Sequence, residues 1–188
     1  MKVYEIGFSQ VADAMKEITQ TGGEGLIVEI AADPWLATGR IDGTYSEEAR
    51  QDLGIPLFHA KHYGGTCVVF PGDLSLCEMR LTQSDFGKRA IHAVKEFLKS
   101  LGLHVALDGN DLMLYSPEEN EKFKVASYGS GSFGGGHYQT VVHVSIGMDE
   151  ELVKRLCTKN QKKKPRGLDR YGVTAQAVYE VIKPLITV

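Results

Sequence analysis

A long amphipathic segment followed by four short β-runs is the feature of this sequence that most constrains its fold. The runs LHVAL, DLMLY, FKVASY and YQTVVHVSIG are rich in β-branched and aromatic residues and are separated by Asp, Asn and Gly. Short connections of this kind join antiparallel strands. The amphipathic segment, residues 84–101, carries apolar side chains at helical spacing, so we expect a long helix packed on an antiparallel sheet. That apolar stripe comprises Phe86, Ala90, Ile91, Val94, Phe97, Leu98 and Leu101.

The rest of the chain alternates between strand-like and helix-like segments. We expect strands in KVYEI, GLIVEI and residues 36–38, and in LFHA and TCVVF on either side of a Gly64-Gly65 turn. Helices are expected to begin at the capping residues Ser9, Ser46, Asp149 and Thr174 and to end near Gly22, Gly54, Leu156 and Pro184. The pattern predicts one α+β domain over residues 1–188, with a mixed, largely antiparallel sheet flanked by helices.

Composition and charge exclude several classes of protein. The net charge is −3, and no apolar run approaches the roughly 20 residues of a membrane helix. The N-terminal segment lacks the apolar core of a secretory signal, so we expect a cytoplasmic protein that binds neither membrane nor nucleic acid. Three cysteines cannot all pair and do not have zinc-site spacing. We expect free thiols and no metal, with Cys67 and Cys77 in β-runs that belong to the core.

A glycine-rich stretch, Gly129 to Gly134, matches G-x-G-x-x-G. In dinucleotide-binding proteins that motif lies between a strand and a helix whose N-terminus faces the pyrophosphate. Here Gly135, Gly136 and a β-run follow it, so no helix begins there. We therefore interpret residues 129–136 as a flexible connection between strands and not as a nucleotide site.

Four stretches, in order, carry a resemblance to a known family. They are LIVEIAADPWLATGR, LGIPLFHAKHYGGTCVVFPGDLSL, KVASYG and MDEELVKRLCTKN. Together they resemble the lipoyl(octanoyl) transferases, relatives of the lipoate- and biotin-protein ligases, over roughly residues 9–175. KVASYG is similar to the motif that carries the family's lysine, here Lys124. MDEELVKRLCTKN is similar to the helix that leads to its nucleophilic cysteine, here Cys157.

The resemblance implies both a fold and a reaction. The fold would be that of the biotin/lipoate-ligase catalytic domain. An octanoyl or lipoyl group would pass from the phosphopantetheine thioester of acyl carrier protein to Cys157, and then to a lysine of a lipoyl-domain protein. That acceptor would be a 2-oxoacid dehydrogenase subunit or the glycine cleavage H protein. No cofactor is expected, and the Lys124 ammonium would favour the Cys157 thiolate. The implied substrate-binding residues are Tyr63, Gly64, Gly65, Thr66, Phe70, Ser127, Tyr128, Gly129, Thr140, Val141, Val142 and His143.

Departures from the family pattern keep two alternatives open. Tyr63, Phe70 and Thr140 stand where the family has an arginine and two histidines, and Leu156 and Thr158 replace the residues that flank its cysteine. The first alternative is an ATP-dependent lipoate- or biotin-protein ligase, and the second is a non-catalytic carrier-binding subunit.

Two histidines and a basic run are interpreted from the residues alone, without the resemblance. His137 and His143 alternate with strand residues and are taken as structural side chains. The basic run over residues 162–166 is typical of a solvated loop, or of a surface that steers an acidic carrier domain into place.

Overall fold

A computed structural model describes residues 1–38, 45–59, 66–158 and 163–186 of the chain. The helices are α1 (Phe8–Thr21), α2 (Glu47–Asp52), α3 (Phe86–Ser100), α4 (Glu150–Leu156) and α5 (Ala175–Ile182). The strands are β1 (Lys2–Glu5), β2 (Gly25–Ile30), β3 (Trp35–Thr38), β4 (Leu57–His59), β5 (Thr66–Val69), β6 (Leu74–Arg80), β7 (Val105–Asp108), β8 (Asp111–Ser116), β9 (Glu121–Ser132) and β10 (Tyr138–Val144). None of the helices in these ranges is long and apolar enough to cross a membrane.

Seven of the strands form one sheet, and three form a smaller one. The large sheet has the order β1-β2-β6-β10-β9-β8-β7, and the small sheet has the order β4-β3-β5. In the large sheet only β1 and β2 run parallel, and the other neighbours are antiparallel. The α+β class with a mixed, largely antiparallel sheet flanked by helices is thereby confirmed.

The alternation of side chains along the strands assigns the two faces of the large sheet to different helices. Leu26 and Val28 of β2 pack with α3 and α5 in the main core, whose buried members also include Leu74, Leu76, Val142 and Val144. The intervening residue Ile27 packs on the opposite face with Ala14, Met15 and Ile18 of α1. Two helices, α3 and α5, pack on the first face, whereas α1 is the one described helix in this second cluster, so it covers only part of the second face.

Sequence patterns located most elements. The central strand β6 pairs with both β2 and β10, and the sequence predicted of it only a β-run around Cys77, without bounds. The helix cap predicted at Ser9 is also wrong, since α1 begins at Phe8 after Gly7. The caps at Ser46, Asp149 and Thr174 are confirmed, because each side chain accepts a hydrogen bond from a backbone N–H in the first turn of its helix.

The glycine-rich stretch is more regular than expected. β9 continues through Gly129 and Gly131 to Ser132, in register with β10. The connection between β9 and β10 is therefore confined to residues 133–137, where Gly135 and Gly136 adopt positive φ angles of 72° and 79°. The interpretation of residues 129–136 as a flexible connection is wrong for their first half. No helix follows the glycines, so the dinucleotide motif lacks its structural context.

Candidate functional site

A cavity of about 320 Å³ lies on the face of the large sheet that α1 only partly covers. The large sheet forms its floor, and α1 and the small sheet form its walls. This volume is at the lower end of the range of small-molecule sites, roughly 300–1,000 Å³. The residues that line it are Phe8, Val11, Met15, Ile27, Glu29, Trp35, Ala37, Thr38, Phe58, Cys67, Val69, Ser75, Cys77, Asp111, Lys124, Ser127, Tyr128, Gly129, Gln139, Val141 and His143.

Aromatic side chains form one apolar part of the cavity lining. The rings of Phe8 and Trp35 stack with their centroids 4.7 Å apart. Phe58 meets both rings edge-on, at 6.5 Å from Phe8 and 6.3 Å from Trp35. Together with Val11 and Met15 of α1, these rings offer a hydrocarbon surface that an apolar ligand chain would bury.

A β-bulge places Lys124 on the cavity face of the sheet. Leu112 of β8 pairs with Ala126, but the next residue, Met113, pairs with Lys124, so Val125 is an extra residue in β9. Val125 and Ala126 consequently both pack in the core beneath α3. Without the extra residue, strict alternation from Ser127 would turn Lys124 away from the cavity. In the folded chain, the Lys124 ammonium lies 3.4 Å from a carboxylate oxygen of Asp111.

The basic run after α4 is anchored next to Lys124. The backbone N–H of Lys124 donates to the carbonyl of Lys164, and the N–H of Arg166 donates to the carbonyl of Lys124. The side chains of this run pair with carboxylates of the β7–β9 region: Lys163 with Asp108 and Asp111, Lys164 with Glu121, and Arg166 with Glu119. These ion pairs leave less positive charge for steering an acidic partner than the sequence indicated.

Two cysteines line the cavity, and their surroundings affect the two thiols in opposite directions. Burial raises the pKa of the Cys77 thiol to about 11, and its sulfur accepts a hydrogen bond from Gln139 at 3.1 Å. Burial also disfavours the Cys67 thiolate. The charge and hydrogen bond of His143, together with the charge of Lys124, outweigh that burial and lower the pKa of the Cys67 thiol.

His143 connects Cys67 to a deeply buried carboxylate. Its Nε2 atom lies 3.4 Å from Oδ2 of Asp73, a residue with no solvent exposure. Burial opposes the imidazolium, but the Cys67 thiolate and the Asp73 carboxylate together raise the pKa of His143. Each of these two groups thus favours the charged form of the other. Among the described residues, no three His, Cys, Asp or Glu side chains are grouped as metal ligands.

Glu29 supplies a second acidic group to the cavity. One of its carboxylate oxygens accepts a hydrogen bond from Trp35 Nε1 at 3.1 Å. Burial raises its pKa to about 7, although the Trp35 hydrogen bond and the charge of His143 oppose this shift. At neutral pH this carboxyl group is thus partly protonated, and the cavity carries less negative charge than its side chains indicate.

Replacing Glu29 with glutamine should make the stability of the protein less dependent on pH. The folded chain holds the Glu29 proton up to about pH 7, whereas the unfolded chain releases it near the ordinary value of 4.5. Because the folded state binds the extra proton, its stability falls as the pH rises through this window. The difference in unfolding free energy, Glu29→Gln minus wild type, should therefore increase by on the order of 3 kcal/mol between about pH 4.5 and pH 8. Urea unfolding at both pH values measures this difference, and a constant difference would contradict the prediction.

The structure brings some of the implied site residues together and separates others. Lys124, Ser127, Gly129, Val141 and His143 line the cavity, and so does Tyr128. Thr140 and Val142 lie on the other face of β10, towards α3, because their side chains alternate with those of Val141 and His143. Although Tyr128 borders the cavity, its ring points to the opposite face of the sheet, towards α3.

Other implied residues lie elsewhere. Phe70 packs in a third cluster, with Leu36 and Leu156. Tyr63, Gly64 and Gly65 fall outside the described residues, and of Thr66 only the backbone is described, at the start of β5.

Cys157 does not share the cavity with Lys124. It follows α4, forms a β-bridge with Tyr45, and packs against the cluster that contains Leu36, Phe70 and Leu156. It is not among the described residues that line the cavity. The cysteine that does line the cavity with Lys124 and has the lowered thiol pKa is Cys67.

Sequence reasoning missed Cys67, Asp73, Glu29 and Asp111 as site residues. One signal was available in β5, because Cys67 and the apolar Val68 are neighbours in a strand and neighbouring side chains of a strand face opposite sides. Val68 packs in the third cluster, so Cys67 must face the opposite side. Nothing in the sequence shows that this opposite side faces His143, which lies more than 70 residues further along the chain.

Comparisons with known proteins identify the fold. No family model matches the sequence, and no curated protein matches it. Among solved structures, a bipartite lipoate protein ligase from Thermoplasma acidophilum, studied with its E2 lipoyl domain, is similar. It has a TM-score of 0.72 and 15% identity, over 97% of this chain and 80% of that one.

Two further solved structures extend the likeness. A lipoate-protein ligase A bound with ATP has a TM-score of 0.71 and 15% identity, over 96% of this chain and 81% of that chain. A biotin protein ligase from Leishmania major in complex with biotinyl-5-AMP has a TM-score of 0.53 and 12% identity, over 97% and 72%. The strand order, the flanking helices and these likenesses together show that the chain has the fold of the lipoate- and biotin-protein ligase catalytic domains.

Proposed function

We propose that this protein transfers an octanoyl or lipoyl group from the thioester of acyl carrier protein to a specific lysine of a lipoyl-domain protein. The acceptor would be a 2-oxoacid dehydrogenase subunit or the glycine cleavage H protein, and the reaction belongs to protein lipoylation. Support comes from the fold, from the resemblance of the sequence to lipoyl(octanoyl) transferases, and from the similar ligase that was studied with its E2 lipoyl domain.

The observation that carries the proposal is a cavity that combines an apolar surface with the chemistry of acyl transfer. The rings of Phe8, Trp35 and Phe58 offer hydrocarbon contact for an acyl chain. Lys124, a thiol and an imidazole lie in the same cavity. A medium-length acyl chain would bury its methylene groups against the rings, at about 0.8 kcal/mol for each buried CH₂ group. Its carbonyl carbon would then be held near the polar groups.

Lys124 suits the role of the positive charge at the reacting centre. Its side chain is only 30% exposed, and its position is set by Asp111 and the bulge in β9. A thioester that accepts a nucleophile develops negative charge on its carbonyl oxygen, and a preorganised cation stabilises that charge. The same cation favours a thiolate over a thiol. The resemblance assigns the thiol to Cys157, and the transfer reaction itself requires only that one thiol of the chain accept the acyl group.

The second candidate is an ATP-dependent lipoate- or biotin-protein ligase. The likeness to a lipoate-protein ligase bound with ATP favours it. In such a reaction the acyl group is activated as an adenylate, so no thiol of the chain is needed. A non-catalytic carrier-binding subunit is the remaining alternative, and the departures at Tyr63, Phe70 and Thr140 from the family pattern favour it.

Mass spectrometry of an acceptor lipoyl domain separates these functions. The protein is incubated with octanoyl-acyl carrier protein and no ATP, or with free octanoate or lipoate plus ATP. Octanoylation of one acceptor lysine without ATP is the expected result. Modification only from the free acid plus ATP would establish the ligase instead. If no donor yields a modified lysine while the lipoyl domain still binds, the protein is a carrier-binding subunit.

A further inference from the structure

Three residues from separate parts of the chain meet at one point of the cavity. Cys67 comes from β5 of the small sheet, His143 from β10 of the large sheet, and Asp73 from the turn before β6. Cys67 and His143 both line the cavity, and the two side chains interact electrostatically there. His143 Nε2 lies 3.4 Å from Asp73 Oδ2. A nucleophile beside a base, which a third group orients, is the arrangement used in covalent catalysis.

Asp73 is held rigidly enough to orient the imidazole. Its Oδ1 accepts the backbone N–H groups of Ile146 at 2.6 Å and Gly147 at 3.0 Å. Its Oδ2 accepts the N–H of Phe70 at 3.0 Å. These three hydrogen bonds and the complete burial of the side chain fix the position of the carboxylate. Asp73 therefore acts on Cys67 through His143 and not by direct proton transfer.

A comparison of the two cavity cysteines shows that burial alone does not produce this arrangement. Cys77, on the floor of the cavity, receives a hydrogen bond from the neutral Gln139 amide, and its thiol resists ionisation. Cys67 instead faces a basic side chain and the Lys124 ammonium. An inert core cysteine has surroundings like those of Cys77, whereas a reactive cysteine lies in positively charged surroundings beside a base.

We propose that Cys67 is the nucleophile that carries the acyl group, with His143 as its base and Asp73 as the residue that positions His143. This inference rests on the proposed acyl transfer and deepens it by assigning the thiol. Cys157, which the resemblance marks for this role, packs in a different cluster beside Tyr45.

The chemistry is balanced without any further reactant. Cys67 Sγ bonds to the carbonyl carbon of the donor thioester, the bond from that carbon to the phosphopantetheine sulfur breaks, and the His143 imidazolium protonates the leaving thiolate. The nitrogen of the acceptor lysine then attacks the same carbon. His143 takes a proton from that nitrogen, and Cys67 leaves as the thiolate. The net change is a thioester and an amine converted into an amide and a thiol.

Intact-mass analysis after incubation with octanoyl-acyl carrier protein, in the absence of an acceptor, tests the assignment directly. An octanoyl adduct is expected on wild type and on Cys157→Ala, and its loss is expected in Cys67→Ala. An adduct that persists in Cys67→Ala and disappears in Cys157→Ala would overturn the assignment while leaving the proposed transfer intact. If wild type modifies the acceptor lysine without ever carrying an adduct, transfer is direct and the assignment is wrong. If no donor yields product, the proposed function itself is wrong.

Alkylation by iodoacetamide provides a readout that does not depend on the substrate. Peptide mapping near pH 7 should show Cys67 modified at least about tenfold faster than Cys77, which is the control within the same cavity. The charged groups that act on the Cys67 thiol are His143, Lys124 and Asp73, and the charges of Glu29 and His143 also interact. In His143→Gln, the pH profile of Cys67 alkylation should shift to higher pH. Equal rates at the two cysteines, or a profile that does not move in His143→Gln, would overturn the proposal.

Discussion

Replacing Lys124 with methionine is expected to lower kcat/KM for octanoyl transfer by about 10²–10³-fold, because the change removes the ammonium from the cavity. A loss of this size is typical when one preorganised donor to a developing charge is deleted. Methionine retains most of the apolar stem and should preserve the packing of β9. The measurement is the initial rate of acceptor modification from octanoyl-acyl carrier protein. Circular dichroism and the midpoint of urea unfolding show whether the variant is folded.

Lys163→Met is the matched control for this experiment. Lys163 also pairs with Asp111, at 2.6 Å, but it lies outside the described lining of the cavity. Its replacement is expected to change kcat/KM less than about threefold, because solvent screens a partly exposed ion pair. If both variants lose activity equally, the effect comes from leaving Asp111 short of a cation, and the direct role of Lys124 is contradicted. A Lys124→Met variant as active as wild type would contradict it as well.

Removing the Asp73 carboxylate is expected to produce the largest loss of stability among the site residues. In Asp73→Ala, the N–H groups of Phe70, Ile146 and Gly147 lose their acceptor, and His143 loses its buried counter-charge. Buried donors without partners each cost about 1–3 kcal/mol, and breaking a buried ion pair costs about 3–5 kcal/mol. We expect the free energy of unfolding to fall by at least about 3–5 kcal/mol. Urea unfolding followed by the fluorescence of Trp35, the single tryptophan of the chain, measures it.

Asp85→Ala is the control at an exposed aspartate. Asp85 pairs with Arg89 at 2.8 Å, and its side chain is 70% exposed. Solvent screens such a pair, so its loss should cost less than about 1 kcal/mol. Asp73→Asn, which keeps an oxygen acceptor, should fall between the two alanine variants. Unfolding midpoints that are the same for Asp73→Ala and Asp85→Ala would show that the buried hydrogen bonds contribute little.

Much of the fold could be predicted because the relevant signals are local. The apolar stripe of α3 and the caps of α2, α4 and α5 each occupy a few consecutive residues. For β6 the sequence predicts only a β-run around Cys77 and not its bounds, because the segment LSLCEMR is buried on both faces and carries Glu78 and Arg80, so its alternation is obscured. Glu78 and Arg80 pair with each other at 2.8 Å, which allows these charges to lie in a central strand.

The candidate site could be predicted only in part. Lys124, Ser127, Gly129, Val141 and His143 were named from sequence and do line the cavity. Thr140 and Val142 were named with them because the resemblance marks a continuous run, yet a strand turns alternate residues to opposite faces. The sequence predicts a structural role for His143, and its interaction with Cys67 and Asp73 could not be predicted because it joins segments far apart in the chain.

By itself, the sequence determined the helices, most strands, the α+β class and the presence of Lys124 in a strand next to a glycine-rich turn. These properties follow from side-chain periods and capping residues, which act over a few positions. Only the tertiary structure decided which cysteine lines the cavity with Lys124. That choice depends on the bulge at Val125, which turns Lys124 to the cavity, and on the packing of the small sheet, which brings Cys67 to His143. Both features depend on contacts between segments that are far apart in the sequence. Patterns over a few consecutive residues therefore do not predict them.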